Sequence, residues 1–121
     1  MVTPVFRITN YEQALDFYVN WLGFRIDWED LPKGGPVYVQ VSRGEFVLHL
    51  SGHEGDSSFG AKARVEMRGL LVYHSQLLAK NAPHLPPALG AAAWHNRVLE
   101  MEIVDPFTNC LVFCELGVLE A

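Results

Sequence analysis

The feature that most constrains this chain is an order of elements that runs β-α-β-β-β and then β-α-β-β-β again. A repeat longer than about 50 residues, built from one helix and several strands, indicates a duplicated module rather than a solenoid. Strands joined by short turns pair antiparallel, and helices then cover one face of the sheet. The expected fold is therefore α+β, with two βαβββ modules forming a curved, mostly antiparallel sheet and helices on its outer face. The modules span about residues 1–55 and 60–121 of a single domain.

The first module is the better marked. Thr3 to Thr9 reads as a strand, and Asn10 with Gln13 three residues later forms a capping-box start. Ala14, Leu15, Tyr18, Val19 and Leu22 recur at helical spacing over Tyr11 to Leu22, and Gly23 follows where a positive φ ends a helix. Phe24 to Glu29 alternates apolar and polar residues. The turn cluster 31–36 leads to a strand at Val37 to Val41. Across the tight Ser42-Arg43-Gly44 connection, Glu45 to Ser51 places Phe46, Leu48 and Leu50 on one face and Val47, His49 and Ser51 on the other. The polar, Gly-rich run 52–60 separates the halves.

The second module repeats this with a strand at Ala63 to Met67, a helix over Leu70 to Lys80, and strands at Leu99 to Val104 and Cys110 to Glu115. Asp105-Pro106-Phe107-Thr108-Asn109 is a turn with proline at its second position. The stretch 81–93, rich in Pro and Ala, has no clear pattern.

Half of the 121 residues are apolar and 19% are charged, an ordinary globular balance. The net charge of −5, with 14 acidic and 9 basic residues and no basic cluster, argues against a nucleic-acid partner. It favours a cationic ligand or simply aids solubility. The N-terminal sequence has no signal-peptide pattern, and no apolar run approaches the roughly 20 residues of a membrane span. Cys110 and Cys114, four apart on one strand, would lie about 13 Å from each other, too far for a disulfide. Reduced thiols and a cytoplasmic setting follow.

The opening Pro4-Val5-Phe6-Arg7-Ile8, with Ala14-Leu15-Asp16-Phe17-Tyr18 and Leu22-Gly23-Phe24, resembles glyoxalase and bleomycin-resistance proteins of the vicinal-oxygen-chelate superfamily. So does the closing Asp105-Pro106-Phe107-Thr108-Asn109 turn before the final strand, although Thr108 stands where the family usually has glycine. The segments 27–30 and 42–51 resemble the bleomycin-resistance branch most. The resemblance implies a homodimer with ligand grooves at the subunit interface. Pro4 is similar to the proline found where family members swap N-terminal strands, and it is equally at home at the start of any strand.

Enzymes of the superfamily hold a divalent metal through His, Gln and Glu. The implied ligand positions fall near Thr3, near Ala63 or Arg64, and at Val112, and none carries a good ligand. The resemblance thus implies a pocket without its metal, cofactor or catalytic residues. His49 and His53 are spaced poorly for shared chelation, and His74, His84 and His95 read as surface or loop residues. Glu100 and Glu102 share a strand face and suit a solvated or ligand-facing acidic surface, or general acid-base work.

A binding site uses other residues. Trp28, Tyr38 and Trp94 offer aromatic walls, while Asp27, Glu29, Asp30 and Glu102 offer charge opposing a cation. His49 and Ser51 can orient polar groups. Trp28 could instead be core, continuing a Phe24-Ile26-Trp28 stripe, and Trp21 reads as packing. The leading expectation is a protein that sequesters a cationic or aromatic small molecule such as a glycopeptide antibiotic. The alternatives are a metal-dependent lyase or dioxygenase with displaced ligands, and a dimer that binds no small ligand.

Overall fold

The computed structural model describes residues 1–117, with Asn96 described in its backbone only. The last four residues assigned to the second module lie outside the described residues. The elements are β1 (Val5–Arg7), α1 (Tyr11–Leu15), continued by a π-helical stretch (Asp16–Trp21), then β2 (Arg25–Asp30), β3 (Tyr38–Arg43) and β4 (Phe46–Ser51). There follow β5 (Lys62–Glu66), α2 (Leu70–Ala79), β6 (Ala88–Ala92), β7 (His95–Val104) and β8 (Cys110–Leu116). The α+β order of two βαβββ modules is as the sequence indicates.

The chain forms two compact units, Met1–Ala61 with Asp105–Asn109, and Lys62–Val104 with Cys110 onward. Each holds a four-stranded mixed sheet, of order β1-β4-β3-β2 and β5-β8-β7-β6 respectively. In each, the first strand pairs parallel with the last, and the other pairings are antiparallel. The duplication extends to single hydrogen bonds: Ile8 N donates to Ser51 O, and Met67 N donates to Cys114 O, both at 2.9 Å.

In the first unit, Asn10 caps the helix as expected, its side chain accepting from Gln13 N at 2.9 Å. The helix then widens: Leu22 N reaches Phe17 O, five residues back, at 3.0 Å. The widened turn shifts the buried face. Ala14, Phe17, Tyr18, Trp21 and Leu22 are buried, whereas Leu15 and Val19, expected to face inward at a spacing of 3.6, are only half-buried. Gly23 takes φ +83° at the helix end. Tyr18 meets Phe24 edge-on at 6.0 Å, and Phe24 meets Phe46 of β4 at 5.7 Å.

Three other expectations change. β2 is an edge strand, and all six of its residues are exposed, so of the stripe Phe24-Ile26-Trp28 only Phe24, which precedes the strand, belongs to the core. Its charged residues suit an edge that must not pair with another sheet. The unpatterned stretch 81–93 contains β6, and β7 begins at His95 rather than Leu99, so His95 is a strand residue. In the second unit α2 lies against β7 and β8, with Tyr73 meeting Phe113 edge-on at 5.5 Å. Its first turn is capped by Glu115, which accepts from Gly69 N and Leu70 N. Among the described residues, no helix is long and apolar enough to cross a membrane.

The turn 105–109 depends on one buried carboxylate. Asp105 Oδ1 accepts from Phe107 N and Asn109 N, both at 2.8 Å, and Oδ2 accepts from Tyr18 OH and Asn109 Nδ2. Asn109 Nδ2 also donates to Arg7 O at 2.8 Å. Thr108 sits at φ +70°, a left-handed conformation that glycine adopts at least cost.

Burial raises the Asp105 carboxyl above its ordinary 3.8, outweighing these donors. The folded state therefore holds this proton more tightly than the unfolded chain. The contribution to stability is fullest below pH 3.8 and falls as pH rises through the folded value. Asp105→Asn should lack that slope in denaturation measured between pH 3 and 7. At neutral pH, Asp105→Ala should cost about 3 kcal/mol by orphaning several buried donors, and Tyr18→Phe about 1 kcal/mol.

Candidate functional site

The site residues on the first unit are arranged by the pleat of β3 and β4. Val39, Val41, Leu48 and Leu50 point into the core, leaving Tyr38, Gln40 and Ser42 of β3 and Val47, His49 and Ser51 of β4 on the opposite face. Gln40 stands opposite His49, and Tyr38 opposite Ser51.

A register shift then recruits β2. Ile26 pairs with Val41 and Trp28 with Gln40, so Asp27 is an extra residue in the ladder. In an unbroken strand Asp27 and Trp28 would face opposite ways. Here Asp27 accepts from Gln40 Nε2 (3.1 Å), Ser42 Oγ (3.0 Å) and Arg25 Nε (3.1 Å). Trp28 lies near-parallel to Tyr38, at 7° and 5.9 Å between centroids, and edge-on to His49 at 5.3 Å. Carboxylate and indole thus share one face. Trp28 keeps 44% of its surface open to solvent.

The polar groups form a directed chain. Asp27, an acceptor, fixes the Gln40 amide with its nitrogen toward the carboxylate and its oxygen toward His49. His49 Nε2–H therefore donates to Gln40 Oε1 at 2.9 Å, and neutral Nδ1 accepts from Tyr38 OH at 2.8 Å. The electrostatics agree. Hydrogen bonds from Gln40, then Ser42 and Arg25, hold Asp27 below the ordinary carboxylate range. Burial lowers His49 and raises Tyr38, the latter with a further push from Asp56. A cavity of about 660 Å³ opens beside this chain, lined by Arg25, Asp27, Gln40, Ser42 and Val47 among others. That is within the range of small-molecule sites.

Of the sequence-predicted residues, the structure brings together Asp27, Trp28, Tyr38 and His49. Asp30 pairs with Tyr38 and is exposed beside it. Glu29 pairs with Val39, a core-facing position, and so projects from the other face. Ser51 is fully buried and its hydroxyl is committed, donating to Asp56 at 2.6 Å and accepting from His53 N. It therefore shapes the loop instead of presenting a free polar group. Gln40, Ser42 and Arg25 were missed. The alternation Tyr38-Gln40-Ser42 was the available signal, but the slip that carries Asp27 onto their face left none.

Trp94 and Glu102 belong to the second unit. Trp94 is exposed and carries the Arg64 guanidinium over its ring at 5.4 Å. Glu102 is exposed and accepts from Cys110 Sγ at 3.4 Å. A cavity of about 510 Å³ in this unit, lined by Glu66, Arg68, Cys114 and Glu115 among others, includes neither of them. Cys110 and Cys114 are buried and not joined by a disulfide, and burial raises the Cys114 thiol despite nearby Arg64.

The metal that the fold's enzymes carry does not suit these residues. Val112 is buried, pairing with Arg64 on one side and Glu102 on the other. Valine has no lone pair, and Arg64, ion-paired with Glu100 at 2.6 Å, would repel a dication. Among the described residues, no three His, Cys, Asp or Glu side chains cluster as a metal site.

The family model for glyoxalase superfamily proteins matches residues 1–118. The chain belongs to the glyoxalase superfamily. Solved structures share its fold. The bleomycin resistance determinant encoded on transposon Tn5 superposes with a TM-score of 0.71 at 17% identity, covering 98% of both chains. The bleomycin-binding protein of Streptomyces verticillus, solved with copper(II)-bleomycin, gives 0.69 at 24%, covering 93% of this chain and 92% of that one. A glyoxalase/bleomycin resistance protein from Streptomyces sp. CB03234 gives 0.68 at 16%, covering 92% and 96%. No curated protein sequence matches.

The hydrogen-bond chain predicts one His49 tautomer, protonated at Nε2, that titrates below the ordinary 6.5. Any stability linked to His49 is present above pH 6.5 and lost as pH falls through the lowered folded value. Long-range proton–nitrogen NMR should show this single tautomer, and a mixture in Asp27→Ala, where the Gln40 amide is free to turn. The same single tautomer in the variant would refute the directed chain.

Proposed function

We propose that this protein binds and sequesters a cationic, aromatic small molecule, with a bleomycin-type glycopeptide the foremost candidate. The observation that carries the reading is the shared face of Trp28, Tyr38, His49 and Asp27. A half-open indole beside an ionised carboxylate suits a planar cation, through stacking, cation–π attraction and opposite charge. Asp30 adds charge at the same edge. The net charge of −5 draws cations from a distance. Sequestration requires affinity and no chemistry, so the residues unsuited to a metal at Val112 and Arg64 do not impair it. The fold shared with bleomycin-binding proteins solved with bleomycin supports the same reading.

The protein acts in the cytoplasm as a homodimer with its ligand grooves at the subunit interface. Trp94 and Glu102 serve as further ligand contacts in this reading. Binding is tested by titrating the purified protein with bleomycin, following tryptophan fluorescence and calorimetric heat. Saturable binding is expected, weakened at least about tenfold, or roughly 1.4 kcal/mol, by Trp28→Ala. No saturable heat would overturn the glycopeptide reading. Sedimentation equilibrium should give twice the chain mass, and a monomer at every concentration would overturn the dimer.

A further inference from the structure

His49 has both ring nitrogens committed. Nε2–H donates to Gln40 Oε1 at 2.9 Å, and Nδ1 accepts from Tyr38 OH at 2.8 Å. A second proton can enter only at Nδ1, where the Tyr38 hydroxyl hydrogen already stands. The hydroxyl would have to turn and accept instead, reversing the last link of the chain that Asp27 directs.

The surroundings give that proton no counter-ion. On β1, Val5 stands beside His49, and Arg7 lies two residues along. β3 offers the uncharged Tyr38 and Gln40. On β2, Asp27 reaches His49 only through Gln40, Asp30 pairs with Tyr38, and Arg25 is bound to Asp27. In the loop after β4, Asp56 is bonded to Ser51, and His53 meets the Tyr38 ring at 6.1 Å. Among the described residues, no carboxylate lies within ion-pairing distance of His49. Burial holds His49 below its ordinary 6.5, and Asp27, itself held low, stays ionised as His49 titrates.

The imidazole also borders the ligand face. Its ring stands edge-on to Trp28, at 5.3 Å between centroids. An imidazolium there would draw on the same indole π-system that is to receive a cation, and would repel that cation at short range.

We infer that a proton on His49 and a cationic ligand exclude one another at the Trp28 face, so that acid releases the ligand. This rests on that face being the cation site proposed above. Affinity is full while His49 is neutral and falls as pH drops through its midpoint. Exclusion leaves about one protein in eleven competent one pH unit below that midpoint, so binding weakens about tenfold there. By reciprocity, a bound cation lowers the His49 midpoint.

The test is a series of NMR titrations with benzamidinium, a planar cation that keeps its charge throughout, from about pH 8 to about pH 5. The Trp28 indole N–H reports binding, and the His49 ring protons report the midpoint. The dissociation constant should rise about tenfold one unit below the midpoint, and saturating benzamidinium should lower that midpoint by at least about half a unit. In His49→Gln the constant should vary less than about twofold across the series, and His53→Gln should keep the wild-type profile. The midpoint shift needs no variant, so the test stays decisive if His49→Gln does not fold. A constant that ignores pH, with an unmoved midpoint, would overturn the inference and leave the cation site standing. So would a pH dependence kept in His49→Gln and lost in His53→Gln. No saturation at any pH would overturn the cation site and the inference with it.

Discussion

The extra residue at Asp27 decides which side chains of β2 share a face. Strand alternation alone would set Asp27 and Trp28 on opposite sides of the sheet. The slip between Ile26 and Trp28 lets the carboxylate reach Gln40 and Ser42 while the indole packs on Tyr38 and His49. Everything downstream follows from that placement. Asp27 orients Gln40, Gln40 fixes the His49 tautomer, and His49 receives the Tyr38 hydroxyl. An edge strand tolerates such a slip because only one neighbour must accommodate it.

The duplicated modules show how one backbone carries two chemistries. The matching bonds Ile8 N to Ser51 O and Met67 N to Cys114 O align Ser51 with Cys114 and His49 with Val112. By the same ladders Gln40 aligns with Glu102 and Tyr38 with Glu100. The first unit has a polar, aromatic face tied by hydrogen bonds. The second has valine and cysteine at the matching positions, with Arg64 bound to Glu100 beside them. The backbone is repeated, and the side-chain chemistry is not.

Much of this was legible in the sequence wherever side-chain size marked the pattern. The Asn10 cap, the Gly23 stop, the alternation of β4 and the turn at Asp105 all follow from residue types with strong local preferences. β6 was not legible, since Ala88-Leu89-Gly90-Ala91-Ala92 offers no contrast between faces and is held by its ladder to β7. The π-helical widening was hidden as well. A spacing of 3.6 turns Leu15 and Val19 inward, whereas the expanded turn buries Phe17 and leaves those two half-buried; Trp21 packs in the core, as its place beside Leu22 suggests. For the site, the aromatic and acidic residues could be listed in advance. Their grouping depends on a bulge with no local marker, so the pattern alone separates neither Glu29 from the site face nor Gln40 from the rest of its strand. The sequence offers Ser51 as a polar contact, because its hydroxyl partner, Asp56, lies in a loop whose path no periodicity describes.

In the proposed function the Trp28 face receives the ligand. The most direct test follows the three tryptophan indole N–H signals by NMR as bleomycin is added. The Trp28 signal should shift and saturate, with the Tyr38 and His49 rings moving in step, while buried Trp21 stays nearly fixed. Saturable binding that leaves the Trp28 signal unmoved would contradict it.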